Sequence, residues 1–181
     1  MFKDKILIIL FFLISFKVFS EFNWYKTQRD TGIGNCGPAC VAMSLKWYTG
    51  SDFEVEFIRS LLGYRNYDGS TSIEELNRII NIYAKSFIIK NKDLSSLTFK
   101  DTIYIVNINT VFISENPLPK FGRDYKYFGG HYIILRKKQQ DYFVVNDPYT
   151  KLGANYFYKI SDVEKALRRN KIIQITKDQI W

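Results

Sequence analysis

Up to about residue 83 the apolar residues of this chain recur at helical spacing, and from Phe87 onward they gather into short β-branched and aromatic runs. Helical signals followed by strand signals, rather than alternating with them, point to an α+β fold in which helices pack on a mainly antiparallel sheet. In the first half, Asn35 stands where it can cap a helix that carries Pro38 in its first turn, with Cys36, Cys40, Met43 and Trp47 along one stripe and Gly50 as its stop. A second helix is expected over 52–62, with Ser51 and Glu54 spaced as a capping box and Gly63 as its stop. Ser72 and Glu75 repeat the box before a third, in which Ile73, Leu76, Ile80 and Tyr83 share a face.

In the second half, strands are expected over 87–90, 103–109, 131–137, 142–147 and 156–160, then a short helix over 161–169 and a last strand over 172–176. Residues 111–128, with Pro117, Pro119 and Gly122, read as a long loop, either functional or a mobile insertion.

The first twenty residues stand apart. Lys3 and Lys5 precede an apolar run over 6–16, and Val18 and Ser20 offer a small-residue processing site, the pattern of a bacterial-type signal peptide cleaved after Ser20. A spanning helix needs about 20 apolar residues, and Lys17 ends this run early, so a retained anchor is the weaker reading. One exported domain over 21–181 is therefore expected, periplasmic or extracellular and monomeric.

From Glu21 onward 23 basic residues face 17 acidic ones, a net charge of +6. Such a surface would be weakly attracted to an anionic envelope, and would equally serve solubility. No arginine-rich stripe or known motif suggests a nucleic-acid partner. Two cysteines, Cys36 and Cys40, are too few for a disulfide framework, and four apart on one helix they would strain a bridge. With one histidine beside them, no structural zinc site is expected, and no cofactor is called for.

Cys36 falls at the start of a helix, where unpaired backbone N–H groups and the helix dipole favour a thiolate. A buried structural thiol is the competing reading, and it fits Cys40, one turn deeper, better. His131, the only histidine, follows Gly129 and Gly130, whose missing side chains admit a substrate or another backbone. A packed or solvated imidazole is the plain alternative. Hairpin arithmetic supplies a partner: a three-residue loop of Lys138, Gln139 and Gln140 sets His131 opposite Asp147, whereas other loop lengths offer Asn146 or Pro148. Asp147 would orient one ring nitrogen while the other takes the thiol proton, although Asp147-Pro148 is also an ordinary turn. The backbone N–H of Cys36, with the Gln28 amide eight residues upstream, would meet the oxyanion formed by thiolate attack on a carbonyl.

Taken together, Gln28, Asn35-Cys36-Gly37-Pro38-Ala39-Cys40 with Met43, Gly130-His131-Tyr132 and Val145-Asn146-Asp147-Pro148 resemble the stand-alone relatives of the double-glycine, bacteriocin-processing cysteine peptidases, within the papain-like group. That resemblance implies a papain-like cysteine proteinase fold with Cys36 as nucleophile, His131 as general base, Asp147 as orienting acid and Gln28 as oxyanion donor. It implies a cysteine hydrolase acting on a peptide or protein substrate through a peptide or isopeptide bond. The 111–128 segment and the lack of fused transporter segments are departures from the bacteriocin-processing members, and the export signal speaks against their leader-cleaving role.

Three other readings compete. Gly32-Ile33-Gly34-Asn35-Cys36-Gly37 matches a dinucleotide-binding fingerprint as letters, but no buried strand precedes it and Pro38 crowds the helix that should follow. A papain-like module that only binds a peptide or envelope polymer would keep the groove with an inert triad. An acyltransferase or crosslinking enzyme would pass the same thioester to an amine.

Overall fold

The computed structural model describes residues 24–28, 31, 34–63, 71–91, 93–113, 129–149 and 153–177. The expected signal peptide and the 114–128 part of the expected loop lie outside them; residues 110–112 form a 3-10 turn, Thr110–Phe112.

Helix α1 spans Cys36–Thr49 and stops at Gly50, which turns into the left-handed region at φ 79° and returns its N–H to Lys46 O. Pro38 costs this helix nothing, because the first-turn amides have no carbonyl to bond within it. Asn35 occupies the N-cap position without capping. Its Oδ1 instead accepts from Arg59 Nε at 2.6 Å, and its Nδ2 donates to Thr31 O; a guanidinium donor is stronger than a helix amide.

Helix α2, Val55–Leu61, is shorter than the sequence suggests, and the Ser51/Glu54 box does not form. Asp52 is held by Lys26 at 2.8 Å and Lys46 at 3.1 Å, and the Ser51 N–H goes to Thr49 Oγ1, so tertiary and turn contacts keep this segment out of the helix. The second box does form on α3, Ile73–Tyr83: Glu75 N donates to Ser72 Oγ at 3.2 Å, and Ser72 N to Glu75 Oε2 at 2.8 Å.

The strands are β1 Ser86–Lys90, β2 Thr102–Asn109, β3 Gly130–Gln139, β4 Tyr142–Asn146, β5 Tyr156–Lys159 and β6 Leu167–Thr176, with α4, Ile160–Ala166, before the last. They form one wholly antiparallel sheet in the order β1-β6-β2-β3-β4-β5. Both faces are covered. Ile103, Ile105, Tyr132, Ile134, Ile173 and Ile175 meet α1, α2 and α3 on one side. On the other, Tyr104, Val106, Ile133, Leu135, Phe143 and Tyr158 meet Val163 and Ala166 of α4. β2 and β3 are thus buried on both faces, which explains their near-continuous apolar runs.

Two departures from the sequence reading shape the functional rim. The β3–β4 loop is the pair 140–141, not a three-residue turn: Gln139 pairs with Tyr142, and a bulge at Arg136 then brings Leu135 opposite Val145 and Ile134 opposite Asn146. β6 begins at Leu167, where a helix was expected to continue, and its ladder with β2 shifts between Leu167 and Ile172 while Arg169 and Asn170 take positive φ.

Candidate active site

The amino end of α1, the start of β3 and the end of β4 meet at one rim of the sheet, and each brings one of the residues singled out from the sequence. Cys36 is partly exposed at the first position of α1, whereas Cys40 is fully buried beneath it. His131 is buried at the second position of β3, and Asp147, immediately after β4, is wholly buried.

The imidazole and the carboxylate are joined, His131 Nε2 to Asp147 Oδ1, at 2.8 Å. With Nε2 so engaged, Nδ1 is the nitrogen left for the thiol, and His131 and Cys36 are hydrogen-bonded to each other. The Cys36 sulfur also receives the backbone N–H groups of Tyr132 and Gly37. Burial alone would push this thiol up, but the His131 hydrogen bond and charge, with those two amides, hold it below the ordinary thiol value. Burial likewise opposes charge on His131, yet the Asp147 carboxylate and the Cys36 sulfur raise it to about 9. Both shifts move the pair towards thiolate and imidazolium. Cys40 goes the other way: burial, then the negative charge of Cys36 and Asp147, drive its thiol well above the normal range, which makes it unreactive.

Asp147 is fixed from several directions. Its Oδ1 also accepts from Tyr149 N at 2.8 Å, and Tyr158 Oη on β5 donates to Oδ2 at 2.5 Å. Its own N–H reaches Gly153 O, and Tyr25 Oη donates to its backbone oxygen at 2.8 Å. The Tyr149 ring stands edge-on to the imidazole at 6.0 Å and 84°. A carboxylate this desolvated persists only where its oxygens are bonded.

Gln28 is tied to the same corner. Its N–H donates to Pro148 O at 2.8 Å, beside the 3.2 Å bond from Thr27 Oγ1 to that oxygen, and its side-chain Oε1 is buried without a hydrogen-bond partner. The structure brings Cys36, His131 and Asp147 into one connected relay and anchors Gln28 to the Asp147-Pro148 turn.

Sequence reasoning missed the supports. Tyr158 reads as an ordinary strand aromatic, and Arg59 as a charge on a helix. Arg59 is instead buried, bonding Asn35 Oδ1 at 2.6 Å, Gly34 O at 2.5 Å and Thr71 Oγ1 at 3.5 Å, and so fixes the residues just before Cys36. Arg59 sits four residues after Val55, the first residue of its helix, on the inward face with Val55 and Ile58, a position at which an arginine hints at a buried role. Among the described residues no cluster of three His, Cys, Asp or Glu side chains is placed to hold a metal ion.

Residues 16–172 match the model of the Peptidase_C39 like family, and the chain belongs to that family. No curated protein matches. Among solved structures, the peptidase domain of Streptococcus ComA, a bifunctional ABC transporter of a quorum-sensing pathway, superposes with TM-score 0.58 at 19% identity, covering 85% of this chain and 99% of that one. A C39-like peptidase from Bacillus anthracis gives TM-score 0.62 at 14% identity, over 85% of this chain and 94% of the other. A double glycine motif protease from an AMS/PCAT transporter, solved with its leader peptide, gives 0.55 at 17%, over 78% and 84%. At such identities the likeness is one of fold: this chain has the papain-like fold of these peptidase domains.

Proposed function

We propose that this family member is an exported cysteine hydrolase that cleaves a peptide or isopeptide bond through an acyl-enzyme on Cys36. The observation that carries the reading is the continuous relay from the Cys36 sulfur through the His131 ring to Asp147 Oδ1. The Cys36 thiolate attacks the carbonyl carbon, and the C–N bond breaks as Nδ1–H of His131 protonates the departing amine. Nδ1 then takes a proton from water, whose oxygen attacks the thioester, and Cys36 leaves as thiolate. Asp147 keeps Nε2 protonated and steadies the imidazolium.

The oxyanion is met by the backbone N–H of Cys36 at the helix start and by the Gln28 amide. The buried, unpartnered polar end of Gln28 supports that role: turning the amide over, which barely alters its shape, presents an N–H there. A peptide substrate is in keeping with the leader peptide bound by the AMS/PCAT transporter protease. Action outside the cytoplasm rests on the 1–20 segment of the sequence, and amino-terminal sequencing of the protein recovered from its host tests it, with Glu21 expected first.

The deciding experiment is digestion of a peptide library by the wild type and by Cys36→Ala, His131→Ala and Cys40→Ala, with products read by mass. Turnover should vanish in the first two and persist in the third; equal turnover in all three would reject the assignment, and amine adducts in place of hydrolysis products would make the enzyme a transferase.

A further inference from the structure

A cavity of about 190 Å³ opens on the same rim, lined by Thr71, Ser72, Asn107, Tyr132, Arg168, Arg169 and Lys171 among others. Tyr132 links it to the candidate active site, since its backbone N–H bonds the Cys36 sulfur while the residue lines the cavity and its hydroxyl donates to Thr71 O on the cavity wall. Gly130, Tyr132 and the ladder partner Asn107 lie on the face of the sheet that α1 covers, so cavity and thiol share that face. Arg168 Nη1 sits directly over Gly130, where a Cβ would come within 1.9 Å of it. The glycine before His131 thus makes room for a guanidinium.

Three observations define what the cavity asks for. Of its three cations, Lys171 is occupied by Glu74 at 2.6 Å, Arg169 acts on the same carboxylate through its charge without a direct ion pair, and Arg168 is not paired with a carboxylate among the described residues. Asn107 Oδ1 is buried and has no hydrogen-bond partner, although the rest of its amide is committed to the Tyr132 hydroxyl, which itself donates to Thr71 O at 2.9 Å. The volume suits one side chain. A ligand must therefore carry an anion for the arginines and, close to it, an N–H for Asn107.

We propose that this cavity is a specificity pocket that takes an acidic residue of the peptide substrate close to the bond cleaved, its carboxylate on Arg168 and Arg169 and a backbone N–H on Asn107 Oδ1. The inference rests on the peptide-hydrolase reading above. An amide-free polyanion such as a polyphosphate satisfies the arginines but offers no N–H to Asn107, which favours the peptide.

The test is cleavage of fluorogenic peptides that carry Asp, Glu, Asn, Gln or Lys at each position in turn, by the wild type and by Arg168→Glu/Arg169→Glu, two exposed positions whose change spares the core. One position should prefer the acid over its amide by roughly tenfold in kcat/KM, and the double variant should invert that preference towards Lys. Cleavage with no acidic preference, or with a preference the variant leaves unchanged, overturns the pocket while sparing the hydrolase. If no peptide is cut, the hydrolase reading fails, and binding of fluorescein-labelled Glu and Gln peptides to Cys36→Ala decides the pocket. Tighter binding of the Glu peptide, lost in a triple variant with both reversals, upholds it; equal binding of the two, or binding of inorganic polyphosphate alone, overturns it.

Discussion

His131 is bonded to a carboxylate that is not its ladder partner. Continuing the register of Ile134 with Asn146 sets Asp147 opposite Ile133, two positions along from His131 on the same face, and the 2.8 Å bond between Nε2 and Oδ1 is a diagonal one. The bulge at Arg136 makes this possible. Without that extra residue Asp147 would fall opposite Ile134 and face the other side of the sheet.

Because Asp147 Oδ1 fixes which ring nitrogen carries the proton, Asp147→Asn should lower kcat on the order of 10²–10⁴-fold with KM little changed. The alkaline limb of the rate profile should also retreat from about 9 towards 6.5, the ordinary imidazole value, since the carboxylate is the main influence raising it. Steady-state kinetics across pH checks both.

The pH dependence of the wild type follows from the two shifts. On the proposed mechanism, turnover needs Cys36 as thiolate and His131 as imidazolium. The acid limb marks protonation of a thiolate whose pKa is lowered, so it lies below 9.0; the alkaline limb marks loss of the His131 proton at about 9. A bell-shaped kcat/KM is expected, with alkylation of Cys36 by iodoacetamide rising at a pH below the ordinary thiol value. Alkylation that rises only near the ordinary thiol value would refute the ion pair.

Tyr158→Phe removes one hydroxyl and no volume, leaving Asp147 Oδ2 without that donor in a buried setting. Urea unfolding should show a loss of roughly 1–3 kcal/mol, and kcat should fall about tenfold as the carboxylate loosens its hold on the ring.

Arg59→Met strips the donors from Asn35 Oδ1 and Gly34 O, both just before the thiol. Stranded buried acceptors should cost roughly 2–4 kcal/mol in urea unfolding. Arg59→Lys, which cannot span both acceptors with a planar fork, should recover only part.

Features governed by near neighbours in the chain were legible before any coordinates. The Ser72/Glu75 box, the Gly50 stop and the placement of Cys36 at a helix start depend on a few adjacent residues, and all three are found. The Ser51/Glu54 box has the same local pattern and fails, because Lys26 and Lys46, distant in sequence, hold Asp52. The expected cap at Asn35 fails similarly once Arg59 is folded against it. Strand positions were visible in β-branched and aromatic runs, but the early start of β6 was hidden by Arg168, Arg169 and Asn170, polar residues carried in the irregularity between the Ile108–Leu167 and Val106–Ile172 pairs.

By itself the sequence determined an α+β chain with one thiol at a helix start, one imidazole and an acidic turn near it, since helix starts, strand runs and caps are written in short-range pattern. Only the tertiary structure decided which carboxylate reaches the imidazole, through a two-residue turn and a bulge whose combined offset no local rule specifies. It also decided that Tyr158 and Arg59 support the site and that an arginine lies against Gly130. Register and burial are settled by the packing of the whole sheet against both of its covering layers, and a one-residue change there turns a side chain to the opposite face.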